Sequence, residues 1–304
     1  LGLRRAGYGS PTRRRMERLT WVECPRDAMQ GYPTLFATKD KIEFLRRLLP
    51  VGFDTIDIAS FVSPKAIPQM ADSVEVLNAL APDKGSNKFL VIAANAKGID
   101  RAVAHQAVDV VGVPFSVSEQ FQRRNTNRSQ LQVLDEWTPA IERAHAAGKE
   151  VVVYLSMAFG NPYGEPSTLD LVADWTQKAV DRWQPTVLSV SDTVGSATPQ
   201  SIREVVARVR NASGATPLGL HLHMPAAEAL TNGLLDAAWD SGIRRFDSAL
   251  LGLGGCPFAQ NHMVGNLPSE ALLTFATARG ASFGVKPLAL ESAHNAARAF
   301  FNYL

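Results

Sequence analysis

Short strand-like runs alternate with longer helix-like segments through almost the whole chain of 304 residues. The candidate strands are rich in β-branched and apolar residues and lie at 19–24, 54–60, 89–94, 108–113, 151–156, 187–191, 217–223 and 244–248. Helical periodicity is found between them, at 39–49, 98–106, 130–147, 168–183, 199–210, 226–241 and 269–279. Eight strands that alternate with helices predict an α/β protein with a single (β/α)₈ or TIM barrel.

The barrel is expected to be one domain that covers residues 19–304. The first strand lacks the G-x-G-x-x-G turn that would favour a doubly wound nucleotide-binding sheet. An additional helical segment at 287–302 is predicted to pack outside the barrel. Residues 1–18 contain six arginines and a single acid, and we interpret them as a leader, a tag remnant or a disordered basic arm.

Composition narrows the functional class. The formal net charge is only +2 and charged residues make up 20% of the chain, which argues against a nucleic-acid or membrane partner. The two cysteines, Cys24 and Cys256, lie far apart in the sequence. This usage is typical of a reducing, cytoplasmic compartment; the mitochondrial matrix is the alternative if the basic arm is a transit peptide. Cys24, on the first strand, is expected to be a core residue.

The seventh candidate strand carries the sharpest chemical signal. Alternate residues of a strand face opposite sides, so its leucines share one face while Gly219, His221 and His223 share the other. In a barrel with the leucines toward the helices, both imidazoles face the lumen near the end of the strand, where the active sites of such barrels lie. Alone, two histidines with this spacing could equally be hydrogen-bonded side chains at the barrel mouth.

Other strand ends add potential ligands. Arg26 and Asp27 follow the first strand directly, and Asn266 follows a glycine-rich stretch after the eighth. Two imidazoles, a carboxylate and an amide oxygen suit an octahedral Mg²⁺ or Mn²⁺. Asp57 and Asp192, on the second and sixth strands, are expected to face the same mouth and orient a ligand or substrate; the alternative is that they cap loops.

These residues belong to longer motifs that resemble the 3-hydroxy-3-methylglutaryl-CoA (HMG-CoA) lyase family of the DRE-TIM metallolyase superfamily. The resemblance covers roughly residues 19–300. It rests on Pro25-Arg26-Asp27, Ser60-Phe61-Val62-Ser63-Pro64-Lys65 with Pro68-Gln69-Met70, Asp192-Thr193 with Gly195, His221 with His223, and the loop from Gly252 to Gln260 followed by Gly265-Asn266.

The resemblance implies a metal-dependent retro-Claisen cleavage of an acyl-CoA to acetyl-CoA and a keto acid, by a homodimer. It implies that the metal is held by Asp27, His221, His223 and Asn266. It further implies that Arg26 stabilises the developing oxyanion and that Cys256 is the general acid that protonates the enolate. Asp27 or a metal-bound histidine would accept the hydroxyl proton. Gln30, Ser60 and Met224 are predicted to contact the substrate.

Several positions depart from the family pattern and leave the substrate open. Ala28 stands where glycine is usual, Asp57 replaces a glutamate, and Met224 follows the histidines where an acidic residue is usual. Met224 and Tyr32 would favour apolar substituents on the substrate. The alternatives are therefore a lyase for a bulkier 3-hydroxyacyl-CoA, an aldolase for a free keto acid, and a metal-retaining relative with little catalysis.

Overall fold

Eight parallel strands form a closed barrel in sequence order, which confirms the predicted fold. The computed structural model describes residues 16–255 and 264–302. The strands are β1 (Thr20–Glu23), β2 (Thr55–Ser60), β3 (Lys88–Ile92), β4 (Val110–Ser116), β5 (Glu150–Ser156), β6 (Val187–Asp192), β7 (Leu218–Leu222) and β8 (Arg245–Ser248). The barrel closes where β8 pairs with β1, with Thr20 opposite Arg245.

Helices follow the strands around the outside of the barrel. They are α1 (Pro25–Gln30), α2 (Thr38–Leu48), α3 (Ser73–Leu80), α4 (Ala96–Ala104), α5 (Glu119–Thr126), α6 (Gln130–Ala146), α7 (Leu169–Trp183), α8 (Pro199–Ser213), α9 (Leu234–Asp240), α10 (Ser269–Ala278) and α11 (Pro287–Phe300). The predicted helix at 226–241 was too long. A short 3₁₀ turn occupies Ala226–Glu228, and the α-helix begins only at Leu234.

The apolar core lies between the barrel and its helices. Trp21, Phe89, Phe115 and Phe246 are fully buried, and each lies on a strand. Serine or threonine caps fix the starts of several helices: Ser129 accepts a hydrogen bond from the backbone of Gln132 as part of a capping box that begins α6. Among the described helices, none combines the length and hydropathy needed to cross a bilayer.

The C-terminal helix packs outside the barrel as predicted. Phe300, at the end of α11, stacks on Phe44 of α2 with ring centroids 4.6 Å apart. The Tyr32 hydroxyl donates a hydrogen bond to the Phe301 carbonyl, and its ring packs against Phe36. The expectation that Tyr32 lines a substrate cavity is therefore wrong, because the C-terminal helix takes up this side chain.

The last residues assigned to the basic arm are attached to the barrel. The backbone amide of Ser282 donates to the Glu17 carbonyl at 3.0 Å, Arg244 pairs with the Glu17 side chain at 2.7 Å, and Arg18 pairs with Asp54. Residues 1–15 lie outside the described part, and the separate basic arm stays a prediction there.

Candidate metal centre and active site

A cavity of about 120 Å³ opens at the carboxyl ends of the strands, the end of the barrel that such folds use for catalysis. Its lining includes the polar residues Arg26, Asp27, Gln30, Asp57, His221 and His223 and the apolar residues Val62, Ile67, Ile92, Ala94, Pro114 and Phe121. Ser60 also lines it. Three predicted metal ligands (Asp27, His221 and His223) and two predicted substrate contacts (Gln30 and Ser60) thus share one cavity.

His221 lies on β7 and His223 lies directly after its last residue, and the Nε2 atoms of the two rings face each other. Their Nε2 atoms lie 3.2 Å apart. His221 Nδ1 lies 3.2 Å from Asp247 Oδ2, and His223 Nδ1 lies 2.9 Å from the Thr193 carbonyl oxygen. A carboxylate and a carbonyl oxygen can only accept, so both Nδ1 atoms donate. In a neutral ring Nε2 then carries the lone pair, and the two Nε2 atoms face each other.

Asp27 stands beside this pair and is held from several sides. Its Oδ1 accepts from Gln30 Nε2 at 2.6 Å and from Arg26 Nη1 at 2.9 Å. Its Oδ2 accepts from Asn266 Nδ2 at 2.7 Å and lies 3.9 Å from His223 Nε2. Burial alone would raise the pKa of Asp27, but the Arg26 guanidinium holds it well below its ordinary value. Asp27 is therefore an anion near neutral pH.

Asn266 reaches Asp27 because a glycine makes room for it. Its Nδ2 also donates to the Leu253 carbonyl at 2.8 Å, so both amide hydrogens are used and Oδ1 is the atom that could face a cation. A Cβ atom on Gly254 would lie 2.5 Å from Asn266 Nδ2 and 2.8 Å from the Asp27 carbonyl oxygen. Gly254 also has a φ of +102°, which side-chain-bearing residues rarely adopt.

Arg26 joins two carboxylates in the first turn after β1. Its Nε lies 3.1 Å from Asp57 Oδ2, its Nη2 also donates to Asp57, and its Nη1 donates to Asp27. Burial raises the pKa of Asp57 to about 6, against the opposing effect of Arg26. Both Arg26 and Asp27 are buried in helix α1, so they do not form a solvent-exposed ion pair in a loop.

The donor set fits a divalent cation. Ligand atoms of Asp27, His221 and His223 all lie within 4.8 Å of one another. The two Nε2 atoms, 3.2 Å apart, can bind one cation between them when both rings are neutral. Each histidine donates a hydrogen bond from its Nδ1 atom to an oxygen, as metal-binding histidines generally do. The carboxylate and amide oxygens nearby favour a hard cation such as Mg²⁺ or Mn²⁺.

Comparison with known proteins agrees with this arrangement. The HMGL-like family model matches residues 18–296. The chain belongs to the HMGL-like family. Bovine mitochondrial hydroxymethylglutaryl-CoA lyase (Bos taurus) is 34% identical over 261 residues, which cover 86% of this chain and 78% of the bovine protein.

Two further relatives of this HMGL-like chain are bacterial. The 3-hydroxy-3-isohexenylglutaryl-CoA/hydroxymethylglutaryl-CoA lyase of Pseudomonas aeruginosa is 34% identical over 249 residues, 82% of this chain and 81% of that protein. The structure of an HMG-CoA lyase from Acinetobacter baumannii, in complex with coenzyme A and 3-methylmalate, superimposes with a TM-score of 0.85 at 29% identity. The superposition covers 94% of this chain and 92% of the Acinetobacter baumannii chain.

Two predicted site residues of this HMGL-like barrel lie elsewhere. Asp192 does not line the cavity: strand alternation turns Ser191 and Thr193 inward, while Asp192 accepts from the backbone amides of Ser196 and Ala197, both at 2.9 Å. It caps the loop whose Thr193 carbonyl holds His223.

Met224 is also absent from the cavity lining. It is buried, its amide donates to the Gly265 carbonyl at 2.8 Å, and its sulfur lies 3.7 Å from Asn232 Nδ2. The residue follows His223 directly, so alternation turns its side chain away from the lumen.

Cys256, the predicted general acid, lies outside the described residues, and its role stays a prediction.

The lumen below the histidines holds a pair that sequence reasoning missed. Arg245 Nη1 donates to Asp247 Oδ1 at 2.9 Å, and the ring of Tyr154 packs edge-on against His221 with centroids 5.8 Å apart. Cys24 is buried in the same region, where its sulfur and ligand atoms of His221 and Asp247 lie within 4.8 Å of one another. The available signal was the alternation of Arg245 and Asp247, two charged residues on one face of the candidate strand 244–248.

Proposed function

We propose that the chain is a divalent-metal-dependent carbon–carbon lyase that cleaves an HMG-CoA-like acyl-CoA to acetyl-CoA and a keto acid. The observation that carries the proposal is the pair of facing Nε2 atoms of His221 and His223, 3.2 Å apart beside the buried carboxylate of Asp27. Membership of the HMGL-like family and relatives that are HMG-CoA lyases support it.

In this proposal Asp27, His221, His223 and Asn266 hold Mg²⁺ or Mn²⁺. The bound cation supplies Lewis acidity, which eases loss of the substrate's 3-hydroxyl proton. The low pKa of Asp27 suits a ligand better than a proton acceptor, because a general base works best with a pKa near the working pH. Gln30, which donates to Asp27, also lies at the cavity wall and is within reach of a bound acyl group.

Arg26 is placed to stabilise the enolate oxygen that forms when the carbon–carbon bond breaks. A guanidinium has five N–H groups, and the contacts of Arg26 with Asp27 and Asp57 use three of them. One hydrogen on each terminal nitrogen can therefore point into the cavity that Arg26 lines. Because Asp57 and Asp27 already fix its plane, little reorganisation is needed as charge develops.

The enolate carbon must then take up a proton before acetyl-CoA leaves. We assign this step to Cys256, whose thiol gives its proton to the carbon and is left as a thiolate, to be reprotonated from solvent. Cys24 is the other cysteine of the chain, and it is buried beneath the histidines, where desolvation raises the pKa of its thiol well above the ordinary value. Cys24→Ser is thus a control for Cys256→Ala.

The test is cleavage of HMG-CoA by the purified full chain, with acetyl-CoA and acetoacetate measured as products. We expect turnover that requires Mg²⁺ or Mn²⁺, is abolished by EDTA and returns when metal is added back. His221→Ala should lose metal binding and turnover together, whereas His105→Ala, outside the barrel mouth after α4, should retain both. Cys256→Ala should bind metal normally but turn over poorly.

Three results would contradict the proposal. Metal-independent turnover would remove the role of the histidines. A wild type no faster than Cys256→Ala on any ester would favour a metal-retaining relative with little catalysis. Equal cleavage of the free acid and the CoA ester would favour the keto-acid aldolase.

A lyase for a bulkier 3-hydroxyacyl-CoA is the second candidate. It is favoured by apolar residues in the cavity lining, among them Ile67, Ile92 and Phe121, and by the Pseudomonas aeruginosa relative, which is named for both an isohexenyl and a methyl substrate. Competition between HMG-CoA and 3-hydroxy-3-alkylglutaryl-CoA esters of increasing length tests it. A kcat/KM that is highest for the methyl compound would rule this candidate out.

Two further proposals concern the oligomeric state and the cellular location of the chain. The homodimer is a proposal that light scattering of the purified chain can test. Relatives of this chain include mitochondrial and cytoplasmic forms, and a cytoplasmic location is kept as the proposal for this one.

A further inference from the structure

The lumen beneath the two histidines is charged, where barrels of this type usually pack branched apolar side chains. Arg245 opens β8 and its side chain is only 10% exposed. Asp247 follows two residues later on the same face and its side chain is fully buried. Charged groups are seldom buried unless they are paired, so this pair calls for a specific reason.

A missing side chain on the neighbouring strand makes room for the arginine. A Cβ atom on Gly219 would lie 2.8 Å from Arg245 Nη1, 3.2 Å from its Cδ and 3.4 Å from its Cγ. The backbone of Gly219 does not have positive φ, so the requirement for glycine there is one of space. Gly219 lies two residues before His221 on the same face of β7, so the strand that carries the histidines also accommodates the guanidinium.

The arginine is connected to the histidine pair through both oxygens of one carboxylate. Asp247 Oδ1 accepts from Arg245 Nη1 at 2.9 Å, while Oδ2 accepts from His221 Nδ1 at 3.2 Å. The opposite nitrogen of the same ring is the Nε2 atom that faces His223. An arginine cannot lose its proton at any ordinary pH, so the guanidinium is a permanent donor that fixes the plane of Asp247.

We propose that Arg245, accommodated by Gly219, is a positioning residue that holds Asp247 and, through it, the ring of His221 with Nε2 directed at the metal. Arg245 touches neither metal nor substrate in this arrangement. It acts by keeping the carboxylate in the one orientation that can accept from His221 Nδ1. The inference rests on the metal site proposed above.

The experiment measures the Mn²⁺ dissociation constant of the purified full chain by isothermal titration calorimetry. Arg245→Met removes the donor to Asp247, and Gly219→Ala keeps the arginine but places a methyl group against its guanidinium. We expect both to raise the Mn²⁺ dissociation constant on the order of 10- to 100-fold, as losses of outer partners of metal-binding histidines generally do. Arg245→Lys should recover part of the affinity.

The preceding arginine provides the matched control. Arg244 pairs with Glu17 and lies over the Trp239 ring, on the other face of the barrel wall. Arg244→Met should therefore leave the Mn²⁺ dissociation constant unchanged, even if the melting temperature falls. Saturating Mn²⁺ should restore turnover of Gly219→Ala, whose loss is one of metal affinity.

Two outcomes overturn the inference in different ways. If Arg245→Met binds Mn²⁺ as well as the wild type does, Arg245 is a structural residue and the metal site still stands. If Arg245→Met does not fold, the same comparison is made with Gly219→Ala. If the wild type itself binds no Mn²⁺, the proposed function and this inference fail together.

Discussion

Replacement of Glu23 by glutamine should stabilise the protein, and increasingly so as the pH rises. Glu23 ends β1 and is 1% exposed. Its Oε1 accepts from the Leu250 amide at 2.8 Å and its Oε2 contacts the Ser269 hydroxyl at 2.5 Å. Burial raises the pKa of Glu23 to about 8; the two hydrogen bonds oppose this and Glu270 adds to it. The folded protein therefore keeps a proton on Glu23 at a pH where the unfolded chain has lost it.

The sign and size follow from the two pKa values. A carboxyl group whose pKa is higher in the folded state does not change the free energy of unfolding below pH 4.5, its ordinary pKa. It lowers the free energy of unfolding most above about pH 8, its pKa in the folded protein. Each pH unit between the two adds about 1.4 kcal/mol, so the penalty is about 3 kcal/mol at pH 7 and about 5 kcal/mol at high pH. Glutamine carries no charge at any of these values, so Glu23→Gln removes the penalty.

Glutamine can also retain the contacts of the protonated acid. Its amide oxygen can accept from the Leu250 amide, and its NH₂ group can donate to Ser269, which can still donate to Ser248 at 2.8 Å. The free energy of unfolding in urea, measured from pH 5 to pH 9, should show a gain for Glu23→Gln that grows with pH. Glu75→Gln, an exposed change on α3, is the control and should show none. A gain of the same size at both ends of the pH range would refute the reasoning.

Three other changes test the site. Gly254→Ala should cost about 1–3 kcal/mol through backbone strain and raise the Mn²⁺ dissociation constant by displacing Asn266. Gly85→Ala, at a positive φ with open space around it, measures the strain alone and should leave Mn²⁺ binding intact. Asp57→Asn should lower kcat about 10- to 100-fold by freeing Arg26. The wild type should lose activity as the pH falls through about 6, the pKa of Asp57. If Asp57→Asn showed the same loss of activity at low pH, Asp57 would not be the group that titrates. Met224→Leu should change stability by less than about 1.5 kcal/mol and leave KM unaltered, because Met224 lies outside the cavity.

The sequence was sufficient to predict the barrel and the residues that alternation places in the lumen. His221 and His223 face the cavity because they lie two residues apart at the end of a strand whose leucines pack outward. The same rule, applied strictly, places Thr193 inward and Asp192 outward. The prediction that Asp192 faces the mouth was wrong because it ignored the parity of the residue on its strand, and the alternative that Asp192 caps a loop is confirmed.

Alternation fails where a strand is irregular, and β2 shows why. Asp57 and Ser60 both line the cavity although they are three residues apart, because the register shifts between Asp57 and Ala59. One extra residue in a strand reverses the facing of everything after it, and no sequence signal at 57–60 marks the shift. Side-chain contacts between distant segments, such as Gly254 against Asn266, depend equally on backbone paths that periodicity does not determine.

The charge balance of the lumen gives a physical reason why this barrel should bind a cation. Among the described lumen residues, three buried carboxylates (Asp27, Asp57 and Asp247) stand against two guanidiniums (Arg26 and Arg245). Asp247 pairs with Arg245, while Asp27 and Asp57 share Arg26. The excess negative charge is therefore concentrated at the mouth of the barrel, because the floor is neutralised by Arg245. A cation bound at Asp27, which lines the cavity, would offset this excess, and this links the buried pair on β8 to the chemistry at the top of the barrel.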